Sequence, residues 1–289
     1  MPVEPDRPAS AVDLSRRDFV RAAVGSGFAA AVLPVTAQTI RTDTAGLTVG
    51  EVVVPVGDFR MPAYRAMPRG PGPWPVVLVL SEVFGVHEYI ADVAVRFARL
   101  GHLAIAPELF VRQGDAQSYG EVARLMAEVV GKVPDAQVMG DLDACVAWAA
   151  ANGGDRTRLG VSGFCWGGRM AWLYCAHSPR VKAGVAWYGQ LVGAPSALKP
   201  THPIDVVAKL NAPVLGLYGG ADAAIPIAAV DQMKAALMTG SVAAKASRLV
   251  VYPDAPHAFH ADYRPSYRPD AAEDGWKRCV AWLKANGVA

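Results

Sequence analysis

Apolar positions along this chain repeat with two different periods. Pro75-Val-Val-Leu-Val-Leu80 is an unbroken apolar run, as expected of a central parallel strand covered on both faces. Leu103–Pro107, Leu159–Ser162, Ala183–Trp187, Val214–Tyr218 and Arg248–Tyr252 read as further short strands. Between them the spacing turns helical. Ile90, Val93, Phe97 and Leu100 mark a helix over Tyr89–Leu100 that Gly101 stops. Val122–Val130, Ala136–Ala150, Gly167–Ala176, Ala228–Leu237 and Ala271–Ala285 follow the same pattern. Upstream, Thr48–Val54 and Phe59–Ala66 predict two strands joined at a Gly-Asp turn, and Pro71-Gly72-Pro73 then breaks the chain. Strands alternating with helices predict an α/β fold with a mainly parallel sheet and helices on both faces. His202–Asn211 and Tyr263–Asp270 are the candidate rim segments, and no internal repeat or second domain is visible.

The first 37 residues break this pattern. Ser15-Arg16-Arg17-Asp18-Phe19-Val20 is a twin-arginine sequence, followed by a weakly apolar Ala- and Gly-rich run from Ala22 to Pro34 and the small-residue end Val35-Thr36-Ala37. That order predicts a bacterial export signal cleaved after Ala37, with the twin-arginine machinery as partner and a periplasmic or secreted destination. The run is too short and too weak for a stable membrane span. Residues 38–289 are then expected to form a single domain of ordinary size.

Composition narrows the function classes. The 289 residues are 52% hydrophobic and 19% charged, which supports a large core and argues against disorder. A net charge of +2 lacks the basic excess that nucleic acid requires. The four cysteines, Cys145, Cys165, Cys175 and Cys279, are too few and too spread for a disulfide framework, and no C-x-x-C pair points to zinc or dithiol redox chemistry. Neither a metal nor a cofactor is expected.

One cysteine stands apart. Gly163-Phe164-Cys165-Trp166-Gly167-Gly168 sits between a predicted strand and a predicted helix, the setting of a nucleophile elbow with Cys in place of Ser. A tight strand-to-helix turn needs neighbours without Cβ, and the helix N-terminus favours thiolate. The Trp166 N–H is placed to donate to an oxyanion. Such a nucleophile needs an acid and then a base further along the chain. Asp222 follows the Val214–Tyr218 strand, and His257 follows Arg248–Tyr252. Asp222 has a competing role as a turn or capping residue, Asp205 and Asp254 are lesser candidates for the acid, and His260 competes with His257. His87, His102, His177 and His202 are read as solvated or locally bonded. Cys145, Cys175 and Cys279 lie in helical patterns and are read as packing residues. Glu82 comes directly after an apolar strand, at the sheet edge where α/β sites gather. A carboxylate there can repel a thiolate or accept its proton, and it can also pair with an arginine such as Arg112.

From about Val53 onward the chain resembles the dienelactone hydrolase (carboxymethylenebutenolidase) family of the α/β-hydrolase superfamily. The resemblance rests on Ser81-Glu82-Val83-Phe84-Gly85, Pro107-Glu108-Leu109-Phe110-Val111-Arg112-Gln113, the Cys165 elbow, Gly219 to Asp222 and His257-Ala258-Phe259. It implies that Cys165 attacks a lactone carbonyl, that His257 is the base and that Asp222 orients it. It further implies that Glu82 controls ionisation of the thiol as substrate binds and that the Val83 and Trp166 N–H groups hold the oxyanion. Arg112 matches an arginine that binds the substrate carboxylate, and Tyr188 an aromatic position beside the pocket. Two departures weigh against dienelactone itself as substrate. Family members acting on it carry a second anion-binding arginine four residues after the catalytic His, where this chain has Ala261, with Arg264 three residues further on. The chlorocatechol-pathway enzymes are also cytoplasmic.

The expected function is hydrolysis of a small ester or lactone, with or without an anionic group, through a Cys-His-Asp triad and a thioester. The alternatives are a broader carboxylesterase or thioesterase whose substrate lacks a carboxylate, a non-catalytic binding protein on a hydrolase fold, and a thiol redox role.

Overall fold

The computed structural model describes residues 39–289, so the leader, cleavage and export readings fall outside the described residues. The chain enters through two long antiparallel strands, β1 (Leu47–Val56) and β2 (Phe59–Pro68), which meet at the Gly57-Asp58 turn. Six strands follow: β3 (Trp74–Leu80), β4 (Leu103–Pro107), β5 (Gly154–Phe164), β6 (Val181–Trp187), β7 (Val214–Gly219) and β8 (Arg248–Tyr252). They form one sheet in the order β1-β2-β4-β3-β5-β6-β7-β8, antiparallel at β1/β2 and β2/β4 and parallel elsewhere.

The crossover helices are α1 (Glu88–Arg99), α2 (Val122–Glu128), α3 (Asp135–Ala151), α4 (Trp166–His177), α5 (Ile227–Thr239), the short α6 (Val242–Ala246) and the closing α7 (Pro269–Ala285). The apolar runs behave as two-sided burial requires: every residue of Pro75–Leu80, of β4 and of β7 is buried. α4 is wrapped on nearly all sides, and Trp166 to Cys175 are all buried. That burial includes Arg169, whose guanidinium makes a two-pronged pair with Asp135 (2.7 and 2.8 Å) and donates to the Thr201 carbonyl (2.6 Å). α4 is thereby tied to the start of α3 and to the segment before the 3₁₀ helix Pro203–Lys209.

The elements match the sequence pattern closely, with two physical exceptions. β5 begins at Gly154 rather than Leu159, because its first residues pair with Trp74 and Pro75 although their side chains are polar. α6 carries no periodic apolar face and is set instead by a Ser241 cap, whose hydroxyl accepts from the Ala244 N–H at 3.1 Å.

Candidate active site

The parallel strands all present their carboxyl ends to one edge of the sheet, and the site forms there. β5 runs into Cys165, which caps α4 at φ 55°, ψ −114°. Its N–H donates to the Trp187 carbonyl (2.9 Å), while its own carbonyl accepts from Gly168 (3.0 Å) and Arg169 (3.2 Å). The turn closes only because its flanks lack Cβ atoms. A methyl on Gly163 would be driven into the Gly167 carbonyl oxygen, and one on Gly167 into that of Leu80. Cys165, Tyr188 (φ 39°) and Ala258 (φ 59°) are the non-glycine residues with left-handed backbone among those described. All three lie in or beside the predicted constellation, as expected where strain is held for function.

Asp222 and His257 converge because the loops after β7 and β8 are laced together. Gly220 donates to the Tyr252 carbonyl (2.7 Å) and Ala221 to that of Ala255 (3.0 Å). Asp222 then uses both carboxylate oxygens. Oδ1 accepts from the Ala224 and Ile225 N–H groups (2.8 and 3.1 Å), and Oδ2 is 2.7 Å from His257 Nδ1. One Asp222 oxygen thus fixes the turn while the other meets the His257 ring. The His257 ring also interacts with the Cys165 sulfur. Burial pushes the His257 imidazole down, but hydrogen bonds to Asp222 and Cys165, reinforced by their charges, outweigh it and hold the ring up to about 10. His260 is elsewhere: its Nδ1 shares a 2.6 Å hydrogen bond with the Tyr89 hydroxyl and its ring packs on Trp187.

The loop after β3 closes the other side. The Ser81 carbonyl accepts from the Gly167 N–H (3.1 Å), which seats Ser81 to Val83 against the elbow. Glu82 is 1% exposed, an unusual burial for a carboxylate, and its neighbours explain it. Tyr263 donates its hydroxyl to Oε2 at 2.6 Å, the Arg264 guanidinium stands 3.9 Å from Oε1, and His87 Nε2 is 3.9 Å from Oε2. Trp166 is the first residue of α4, so its N–H has no acceptor within the helix. The Tyr188 ring lies edge-on to His257 with centroids 5.2 Å apart.

Two expectations need revision. Arg112 does not pair with Glu82. Its two Nη atoms are committed to Asp141 at 2.6 and 2.7 Å, with the guanidinium over the Phe59 ring. The arginine at Glu82 is Arg264. His87 is not solvated: it is 6% exposed, packs edge-on to Tyr263, and is held by burial and then by Arg264 at about 3. Tyr263 and His87 escaped sequence reasoning because nothing in their local spacing announces a carboxylate partner, and in Tyr263 that partner lies 181 residues away. The other three cysteines are fully buried, and burial pushes their thiols up, out of the reactive range.

Neutral His87 has a consequence for stability. The unfolded chain takes up a proton near pH 6.5 that the folded chain refuses until about pH 3. Stability therefore falls as the pH falls through that window, by at most about 1.4 kcal/mol per pH unit from this ring. Urea midpoints between pH 7 and 4 should decline less steeply for His87→Phe than for the wild type. Equal slopes would show that the ring does not stay neutral.

An eight-stranded, mostly parallel sheet with a cysteine at the strand-to-helix elbow after β5, an aspartate after β7 and a histidine after β8 is an α/β-hydrolase arrangement. The Dienelactone hydrolase family profile matches residues 61–287, and the chain belongs to that family. A Methylorubrum extorquens protein named "Putative carboxymethylenebutenolidase" is 58% identical over 283 residues, covering 97% of this chain and 96% of its own length. The Escherichia coli K12 protein of the same name is 49% identical over 263 residues, covering 91% and 96%. The crystal structure of a "Putative Dienelactone Hydrolase" from Klebsiella pneumoniae is 53% identical, covers 82% of this chain and 98% of its own, and superposes with a TM-score of 0.80.

Proposed function

We propose that this chain hydrolyses small esters or lactones through a Cys165–His257–Asp222 triad. Family membership supports an ester or lactone hydrolase. The observation that carries the finer reading is the His257 ring, bonded to Asp222 on one side and turned to the Cys165 sulfur on the other, at an elbow with strained backbone. An imidazole raised by Asp222 and hydrogen-bonded to the sulfur is a base able to take the thiol proton, and the imidazolium so formed stabilises the thiolate. The thiolate attacks the carbonyl, and the Val83 and Trp166 N–H groups receive the oxyanion. The C–O bond breaks and His257 gives its proton to the leaving oxygen. Neutral His257 then takes a proton from water, whose oxygen cleaves the thioester and returns the thiol. Asp222 keeps the ring in the tautomer these transfers need. Arg264, 30% exposed and beside Glu82, is the cation this site offers to an anionic substrate. A screen of lactones and aryl esters, with and without a carboxylate, combined with mass spectrometry of the protein, tests the scheme. The expected result is turnover with an acyl adduct on Cys165. Turnover with the adduct elsewhere, or no turnover of any active ester, overturns it.

A further inference from the structure

The loop after β8 carries His257, and α1 grips that loop at two buried points. The Tyr89 hydroxyl shares a 2.6 Å hydrogen bond with His260 Nδ1, and Arg96 Nη2 donates to Asp262 Oδ2 at 2.7 Å. Tyr89, His260 and Asp262 are all buried. On α1, Tyr89, Asp92 and Arg96 stand at i, i+3 and i+7, along one stripe of the helix. His260 lies three residues beyond His257 and Asp262 five, so the two contacts hold the backbone on which the His257 ring is mounted. The loop is stiffened from within as well: Ala261 N–H donates to the Ala258 carbonyl (3.0 Å) and Arg268 N–H to that of Phe259 (2.9 Å).

Arg96 is held in turn. Its Nε donates to Asp92 Oδ2 at 2.6 Å, so one guanidinium joins two carboxylates. Asp92 is met from its other side by Thr42, whose N–H donates to Oδ1 and whose hydroxyl donates to Oδ2 at 3.3 Å. The Ile40 backbone interacts with Asp262 as well. The same segment runs on along α1, with Arg41 3.6 Å from Glu88 and Arg99 donating to the Ala45 carbonyl at 3.0 Å. All of it precedes the 61–287 stretch that the family profile matches.

We propose that Ile40 to Thr42 form a strap that positions the His257 loop from outside the site: Thr42 holds Asp92, Asp92 holds Arg96, and Arg96 holds Asp262. Thr42 and Arg96 are positioning residues that act through this chain. The proposal rests on His257 being the base. Charge-assisted links are short and directional, so losing the Thr42 donors lets the Asp92 carboxylate turn and slackens the Arg96 fork. A reacting group misplaced by about 1 Å can cost about 100-fold in rate, so a slackened mount acts on kcat first.

The test measures kcat and KM on the best substrate of the ester and lactone screen, with the melting temperature alongside. Thr42→Pro deletes both donors and should lower kcat by about tenfold, with KM within about twofold. Thr42→Ser keeps both donors and should match the wild type. Arg41→Ala breaks only an exposed pair of the same segment and should leave kcat and KM unchanged. Arg96→Lys cannot fork between two carboxylates and should lower kcat at least as far as Thr42→Pro. Adding Thr42→Pro to Arg96→Lys should lower kcat no further, because both act through one chain. Wild-type kcat in Thr42→Pro, an equal loss in Arg41→Ala, or losses that multiply in the double variant overturn the strap. His257→Ala tests the base assignment itself. If that variant turns over at the wild-type rate, the assignment falls and the strap with it. If it is inactive while Thr42→Pro is unimpaired, the strap alone falls.

Discussion

Cys165→Ala should lower kcat/KM for every ester or lactone the wild type hydrolyses by about 10⁴-fold or more. The size follows from how a triad fails. Its members act as one unit, so losing the nucleophile costs nearly as much as losing all three, and the remainder comes from the oxyanion hole and binding alone. The fold should survive. The sulfur is not a cap acceptor for α4, and the backbone bonds of the elbow run through the Cys165 N–H and C=O, which alanine keeps. Alanine is also no more strained than cysteine at φ 55°. An unchanged melting temperature with activity lost and no acyl adduct is the expected triple result. Asp222→Asn makes a complementary case: the amide still fits the site, but its NH₂ can face Nδ1 and favour the wrong tautomer, a change that costs about 10⁴ in a serine triad. A Cys165→Ala protein retaining more than about a tenth of wild-type turnover would mean that water is activated directly, without a thioester.

Much of this is legible in the sequence, because the relevant signals are local. The β3 and β7 strands announce themselves as unbroken apolar runs, and the elbow as glycines around one cysteine. Chain order places Asp222 and His257 beyond the right strands. The unread parts depend on contacts between distant residues. Arg112 lies in the loop after β4 and Asp141 on α3 with α2 between them, and nothing local shows that they face each other across 29 residues. His87 looks like any loop histidine until Tyr263 closes over it. Sequence leaves Asp222 as either a cap or an acid, because it cannot show that one carboxylate gives its two oxygens to different partners.

Arg112 and Arg264 give the second large effect, and they should respond in opposite ways. Asp141 is 1% exposed, and the Arg112 fork meets both of its oxygens. Arg112→Ala leaves that carboxylate buried and unpaired, which costs about 3–5 kcal/mol when one partner of a buried pair is removed. The variant should therefore show a large drop in its urea midpoint. At temperatures where it remains folded, its preference between carboxylate-bearing and neutral substrates should be close to that of the wild type. Arg264 is 30% exposed and meets Glu82 only at 3.9 Å, so its loss costs much less stability. What it removes is the cation beside the thiol. Arg264→Ala should lower kcat/KM for carboxylate-bearing lactones by about 10- to 100-fold, the worth of one charge-assisted hydrogen bond, and leave neutral aryl esters within a few fold. Paired measurements of midpoint and selectivity on both variants separate stability from recognition. If selectivity collapses in Arg112→Ala and not in Arg264→Ala, the cation that reads the substrate is the one held by Asp141. The fork must then let go of that aspartate when substrate arrives. If neither variant changes selectivity, the site does not read a carboxylate, and the broader esterase activity is what the triad serves.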